Sequence, residues 1–203
     1  MSIVHAIDTL TEWAKHNICD HIKLKMPPAN LEANDDGYIY KTVKPTAFPM
    51  YVPTAEKLPP SIHSEFPSLC VRFVKGADSL ASKERGLDVQ MCFSAWDPGL
   101  HGPDVFQPNE DMSFKRHGTD NAQFTRNGDG WRDVWNFVDI ALRALESTTN
   151  IGGYTIDPQT PIEFGPLTEQ EAIPDFYPLW FAWISFRLNY PLRRDVAEIH
   201  NFL

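Results

Sequence analysis

His16, Cys19, Asp20 and His21 form the densest group of metal-competent side chains in the sequence. Imidazole, thiol and carboxylate together suit a divalent ion, but zinc sites use ligand spacings that this run does not match. His16 and Asp20 stand one helical turn apart, so a polar helix end accounts for them. A second scatter, His101, Asp104, Asp111, His117 and Asp120, holds the side chains a metal-dependent hydrolase would need. Its Gly- and Pro-containing, polar surroundings read as a solvated loop. A third group, Trp131, Trp135, Trp180 and Trp183, has the chemistry of a stacking platform for bases or sugars, which would make the chain a small-ligand binding module. No basic cluster flanks these tryptophans, and their helix and strand periodicity assigns them to the core first. The sequence has no Walker A loop, no G-x-G-x-x-G, no H-E-x-x-H and no G-x-S-x-G. The expectation is therefore a structural or interaction protein, without catalytic residues, metal or cofactor.

The elements that would position these residues follow from periodicity. Ile3, Ile7, Leu10, Ala14 and Ile18 recur at three- and four-residue spacing, which predicts a helix over 3–18 with Ser2 as its cap. Residues 26–67 are Pro-rich and must be loops and short strands, with Gly37–Val43 and Phe48–Val52 as the strand candidates. Leu69–Val74 is a short apolar run, and Leu87–Trp96 alternates with Leu87, Val89, Met91, Phe93 and Ala95 on one face. Lys75–Gly86 between them reads as a polar hairpin connection. Residues 97–130 have no apolar periodicity and read as a surface insertion, since structureless loops beyond about 15 residues are unusual inside a domain. Trp131–Glu146 is the clearest helix, with Trp131, Val134, Trp135, Val138, Ala141, Leu142 and Leu145 as its apolar face. Asp129 is its expected cap, Asp139 and Arg143 an expected ion pair, and Gly152-Gly153 the stop beyond it. Tyr154–Ile156 and Ile162–Phe164 are short strand candidates. Leu179–Tyr190 is a strong strand, with Trp180, Ala182, Ile184, Phe186, Leu188 and Tyr190 on one face. On its other face Leu179, Phe181 and Trp183 give way to Ser185, Arg187 and Asn189, so that face should be covered only in its first half. The tail 192–203 would add a short helical turn.

Composition bounds the class. The 203 residues are 42% hydrophobic and 12% aromatic, enough apolar mass to bury a core and exclude global disorder. The length fits one domain with a long insertion. Twenty-seven acids against 18 bases give a net charge of −9, which argues against binding nucleic acid or anionic membranes through clustered Lys and Arg. Cys19, Cys70 and Cys92 are few and odd in number, so a disulfide framework is not expected and a reducing cytoplasm fits better. The N-terminal residues lack the basic and apolar regions of a secretory signal. The longest apolar run, Leu179–Ile184, has six residues, against about 20 for a membrane-spanning helix.

Gly130-Trp131-Arg132-Asp133-Val134-Trp135-Asn136-Phe137, running on to Leu142 and Leu145, resembles the G-aromatic-R-D-aliphatic-x-N opening of the second helix in phage tail terminator (tail completion) proteins. Pro161-Ile162-Glu163-Phe164 and Tyr177-Pro178-Leu179-Trp180-Phe181-Ala182 are the second and third matches, in the family's order. Phe93–Asp97 sits where the family has a strand ending in an aromatic-Asp-Pro turn. The likeness covers 68–191 in pattern and 1–20 weakly. Two segments differ: 97–130 stands where the family has a short loop, and 26–67 is long.

The resemblance implies an α+β domain over 1–203, an antiparallel or mixed sheet with two amphipathic helices packed on one face, plus long loop insertions. It implies a homo-oligomeric ring, commonly hexameric, that caps the tail tube, ends its elongation and presents a surface to the head connector or head completion protein. The expected place is the head-proximal end of the virion tail, after assembly in the host cytoplasm, with no membrane partner. Genomic DNA would pass the lumen without specific binding, which an acidic chain suits. The surfaces that leave polar groups outside the core are Ser185, Arg187 and Asn189 on the last strand and Asp104, Asp111, Lys115 and Arg116 in the insertion. A head–tail connector or neck protein is the alternative within the same class.

Overall fold

The computed structural model describes residues 2–27, 41–62, 64–97, 130–169, 172–174 and 176–192. Helix α1, Ile3–Asn17, begins where the Ser2 hydroxyl accepts the His5 backbone N–H at 3.1 Å, satisfying one of the donors that a helix start leaves over. Ile7, Leu10, Ala14 and Ile18 are buried, as their spacing predicts, together with Ala6; Ile3 is exposed. Strands β1 (Leu24–Met26) and β2 (Lys41–Val43) pair antiparallel as a small separate sheet. Residues 37–40 of the strand expected at Gly37–Val43 lie outside the described residues. The second expected strand is β3, Thr46–Pro49, which starts earlier than Phe48 and ends at Met50, where φ is 65°.

β4 (Ser68–Ser79) and β5 (Glu84–Trp96) form a long hairpin. The expected polar connection over 75–86 is therefore mostly strand. Residues 74–79 are exposed and have no β3 opposite them, so their sequence carries no buried row to signal extended structure. A bulge between Phe73 and Lys75 shifts the register there. Beyond helix α2 (Trp131–Glu146) come β6 (Asn150–Ile151), β7 (Tyr154–Ile156), β8 (Glu163–Pro166) and β9 (Leu179–Pro191). Gly152 and Gly153 have φ of 58° and 97°, so they do more than stop α2: they make the tight turn joining β6 to β7.

The main sheet has seven strands in the order β3-β4-β5-β9-β7-β6, with β8 also on β9, beside the part that pairs β7. It is mixed: β3 runs parallel to β4, and the other pairs are antiparallel. β5 and β9 stay in register from Glu84↔Pro191 to Trp96↔Leu179. Directly opposed residues share a face, so Leu87, Val89, Met91 and Phe93 line up with Leu188, Phe186, Ile184 and Ala182 as one buried double row. Side chains of α1 and α2 enter the same core.

The α2 face differs from its expected position. Phe137, absent from the predicted stripe, is fully buried and meets the Phe93 ring edge-on at 5.0 Å. Leu142 and Trp135 are half-buried, and Trp131 is 43% exposed. The buried stripe is Val134, Phe137, Val138, Ala141 and Leu145, one position round the helix from the predicted centre. Asp129 lies outside the described residues, and Gly130 takes the cap position without a side-chain hydrogen bond. Asp139 and Arg143 form no salt bridge, in keeping with the small value of exposed pairs.

Phe137→Ala should cost about 3–5 kcal/mol, more than Leu142→Ala, because it empties a fully enclosed site. Urea denaturation of both variants checks this. A larger loss at position 142 would place the buried stripe where the sequence pattern alone put it.

Candidate assembly surface

Ser185, Arg187 and Asn189 lie together on the second face of β9, and the structure covers them more than expected. All three are half-buried, so the face is not bare in its second half. Arg187 Nη1 donates to Asp88 Oδ1 at 3.0 Å, and its Nε lies 3.9 Å from Asp157 Oδ2. Lys75 Nζ is 3.6 Å from Asp88 Oδ2. The Asp157 carboxylate also accepts the Gln159 backbone N–H at 3.0 Å and the Thr160 hydroxyl at 2.8 Å. Those bonds, led by the Gln159 N–H, hold its pKa below the usual carboxylate range. Gly86 makes room for this row, because a Cβ there would collide with the Arg187 guanidinium. The charges pair with one another across three strands and the turn after β7, so Arg187 is a tie within the sheet. Beside it, Ser185 and Arg187 line a cavity of about 320 Å³ with Lys75, Thr160 and Glu163. Asp104, Asp111, Lys115 and Arg116 lie outside the described residues.

The more exposed apolar surface is at the other end of β9. Trp131 and Trp135 from α2, Leu167 after β8, and Tyr177, Trp180 and Phe181 at the start of β9 line a cavity of about 430 Å³. Ile173 and Phe176 complete its rim and are exposed by 69% and 45%. A surface this apolar is what interfaces and ligand sites are made from. It qualifies the assignment of the tryptophans to the core: Trp135 and Trp180 pack against the core from its edge, and Trp131 is exposed. Trp131, Trp135 and Trp180 line the cavity, and Trp183 lies on the opposite face, its Nε1 donating to Pro166 O at 2.9 Å. None of the four is fully buried. The Arg132 guanidinium sits 4.9 Å above the Trp131 ring and gives the rim a cation.

An ionic corner fixes this surface in place. Lys25 on β1 reaches Asp97 at the end of β5 as a close ion pair and stands 4.0 Å from Asp133 in the first turn of α2. Asp97 is almost fully buried. Its backbone N–H donates to Pro178 O at 3.0 Å, and its carbonyl accepts the Trp180 Nε1–H at 3.0 Å. A Cβ on Gly130 would lie 2.6 Å from that same carbonyl, so only glycine lets α2 start this close to β5. Burial pushes the Asp133 carboxyl up from its ordinary pKa; Lys25 opposes this and Asp97 adds to it. Sequence reading placed Asp97 at the start of a surface insertion. Nothing local marked it as buried, because its partners are distant in the chain.

The first metal candidate resolves into a helix end. His16 Nε2 meets Glu12 at 2.8 Å and Nδ1 meets Asp20 at 3.1 Å, while Lys44 donates to Asp20 at 2.8 Å. Lys44 and then His16 lower the Asp20 pKa. Cys19 points into the core, where burial raises its thiol to about 12, and His21 is exposed. Among the described residues no three His, Cys, Asp or Glu side chains are grouped to hold a metal ion, and no helix is long and apolar enough to cross a membrane. His101, His117 and Asp120 lie outside the described residues. No family model matches the chain, and no curated protein is significantly similar to it.

Lys25→Met should destabilise the fold by about 3–5 kcal/mol at neutral pH, since it leaves two carboxylates crowded without their cation. Asp133 has a raised folded pKa, so the cost of its charge is present at neutral pH and is relieved as pH falls through that value. The loss in the variant should therefore shrink in acid. Denaturant melts across that range test it, and a loss that grows as pH falls would contradict the assigned role of Asp133.

Proposed function

We propose that the chain is a non-enzymatic assembly protein of the phage tail terminator class: a ring-forming subunit that caps the tail tube and offers a face to the head. One observation carries the reading. Two of the three segments that resemble the family meet on one exposed apolar surface, through Trp131, Val134 and Trp135 and through Tyr177, Leu179, Trp180 and Phe181. The α+β fold, with both helices feeding one core against the sheet, is consistent with it. An apolar, aromatic rim suits protein contacts that repeat around a ring, where each copy presents two different surfaces. The acidic chain suits a lumen that DNA crosses without adhering. A connector or neck role would use the same surface.

The aromatic cavity itself favours a second reading, a binding module for a small apolar ligand, since its 430 Å³ is within the range of such sites.

Electron microscopy of the purified protein should show rings with a central opening. A particle that stays monomeric at every concentration would oppose the assembly reading. Ile173→Ser should change stability by no more than about 0.5 kcal/mol, because the side chain is 69% exposed, yet abolish the ring. Rings that persist would move the interface elsewhere. Phage lacking the gene should make DNA-filled heads and free, overlong tubes. Tubes of normal length joined to heads would rule the terminator out, and normal free tubes would favour the connector.

A further inference from the structure

Cys70 and Cys92 face each other directly across β4 and β5. The β3 ladder fixes which way the β4 backbone points: Thr46 N donates to Pro67 O, and Met50 N to Val71 O. Alternate residues therefore turn towards β3, and Cys70 turns towards β5. The two cysteines are thus a hydrogen-bonded pair, whose Cα atoms stand about 5.5 Å apart, inside the window a disulfide spans. One row away, Ser68 and Ser94 bring their hydroxyl oxygens to 2.7 Å, so side chains on this face of the hairpin do meet. Neither is in a disulfide, and the Cys92 thiol donates to Gln90 Oε1 at 3.5 Å.

We propose that Cys70 and Cys92 are an oxidisable dithiol that closes to a cross-strand disulfide within one chain. Cys92, the more exposed, attacks a small-molecule disulfide such as oxidised glutathione. Its sulfur forms a mixed disulfide and releases one glutathione thiolate. Cys70 gives up its proton and attacks the Cys92 sulfur, releasing the second. Two protons and two electrons leave the protein, and one glutathione disulfide becomes two thiols. Burial raises the Cys70 thiol to about 11 and pushes Cys92 up as well, so thiolate is scarce at neutral pH and closure quickens in alkali. Hydrogen-bonded strand pairs hold Cβ atoms farther apart than a disulfide prefers, so the closed bond is strained and readily reduced. This is a reversible modification of a finished fold, unlike a disulfide framework, and it does not depend on the assembly reading.

The test uses the full chain with oxidised glutathione, followed by acid quenching, alkylation, digestion and peptide mapping by mass spectrometry. A linked Cys70–Cys92 peptide pair is expected, with Cys19 alkylated. Its rate of formation should rise about tenfold per pH unit while the thiols remain protonated. Reduced glutathione should reverse it. Cys70→Ser should halt the reaction at a glutathione adduct on Cys92. A persistent adduct on Cys92 of the wild-type chain, a link between two chains, or alkylation of both residues after prolonged treatment would overturn the proposal.

Discussion

The structure depends on the pairing of β5 with β9. Every other part of the main sheet is attached to one of these two strands or to a strand that pairs with them. Their shared buried row supplies the surface on which α2 settles, with Phe93 against Phe137 as a contact between sheet and helix, while α1 packs beside it on β3 and β4 within the same core. A slip of one residue would turn that row to the other face and bring Asp88 and Arg187 into the core. The charged row Lys75–Asp88–Arg187–Asp157 therefore has a second effect beyond its modest energy: it fits only one register.

The apolar surface is held by a different principle. Its members come from α2, from the stretch after β8 and from the residues around the start of β9. Lys25, Asp97 and Gly130 join them at one corner, through an ion pair, two hydrogen bonds to the Asp97 backbone and a close approach that tolerates no side chain. Burying charge there is costly, and Asp133 is the residue that bears the cost.

Elements with strict periodicity were legible in the sequence. α1, β5, α2 and β9 stand within a few residues of their predicted bounds because each buries one face, and burial is what writes a period into a sequence. The second half of β4 was not, since it is exposed on both sides, and neither was β6, which is two residues long. Phe137 was legible in principle: it lies three residues from Val134 and four from Ala141. Trp131 drew the predicted stripe towards itself because a large aromatic normally implies core. The Ser185, Arg187 and Asn189 row was found, but its pairing was not, because Asp88 and Asp157 reach it only through strand register. At the corner, Asp97, Gly130 and Asp133 stood in the motifs of the resemblance, but nothing local pointed to Lys25 as their partner.

The β5–β9 pairing also sets an order of events during synthesis. Asp88 and Arg187 bond across it although they are 99 residues apart in the chain. The β4–β5 hairpin can close as soon as its own residues leave the ribosome, but its apolar row then has no central partner until β9 has been made. For that interval Leu87, Val89, Met91 and Phe93 form an open, sticky strand face, the kind of surface that chaperones bind and that nascent neighbours on the same message can capture. The decisive step in folding of this chain therefore waits for β9.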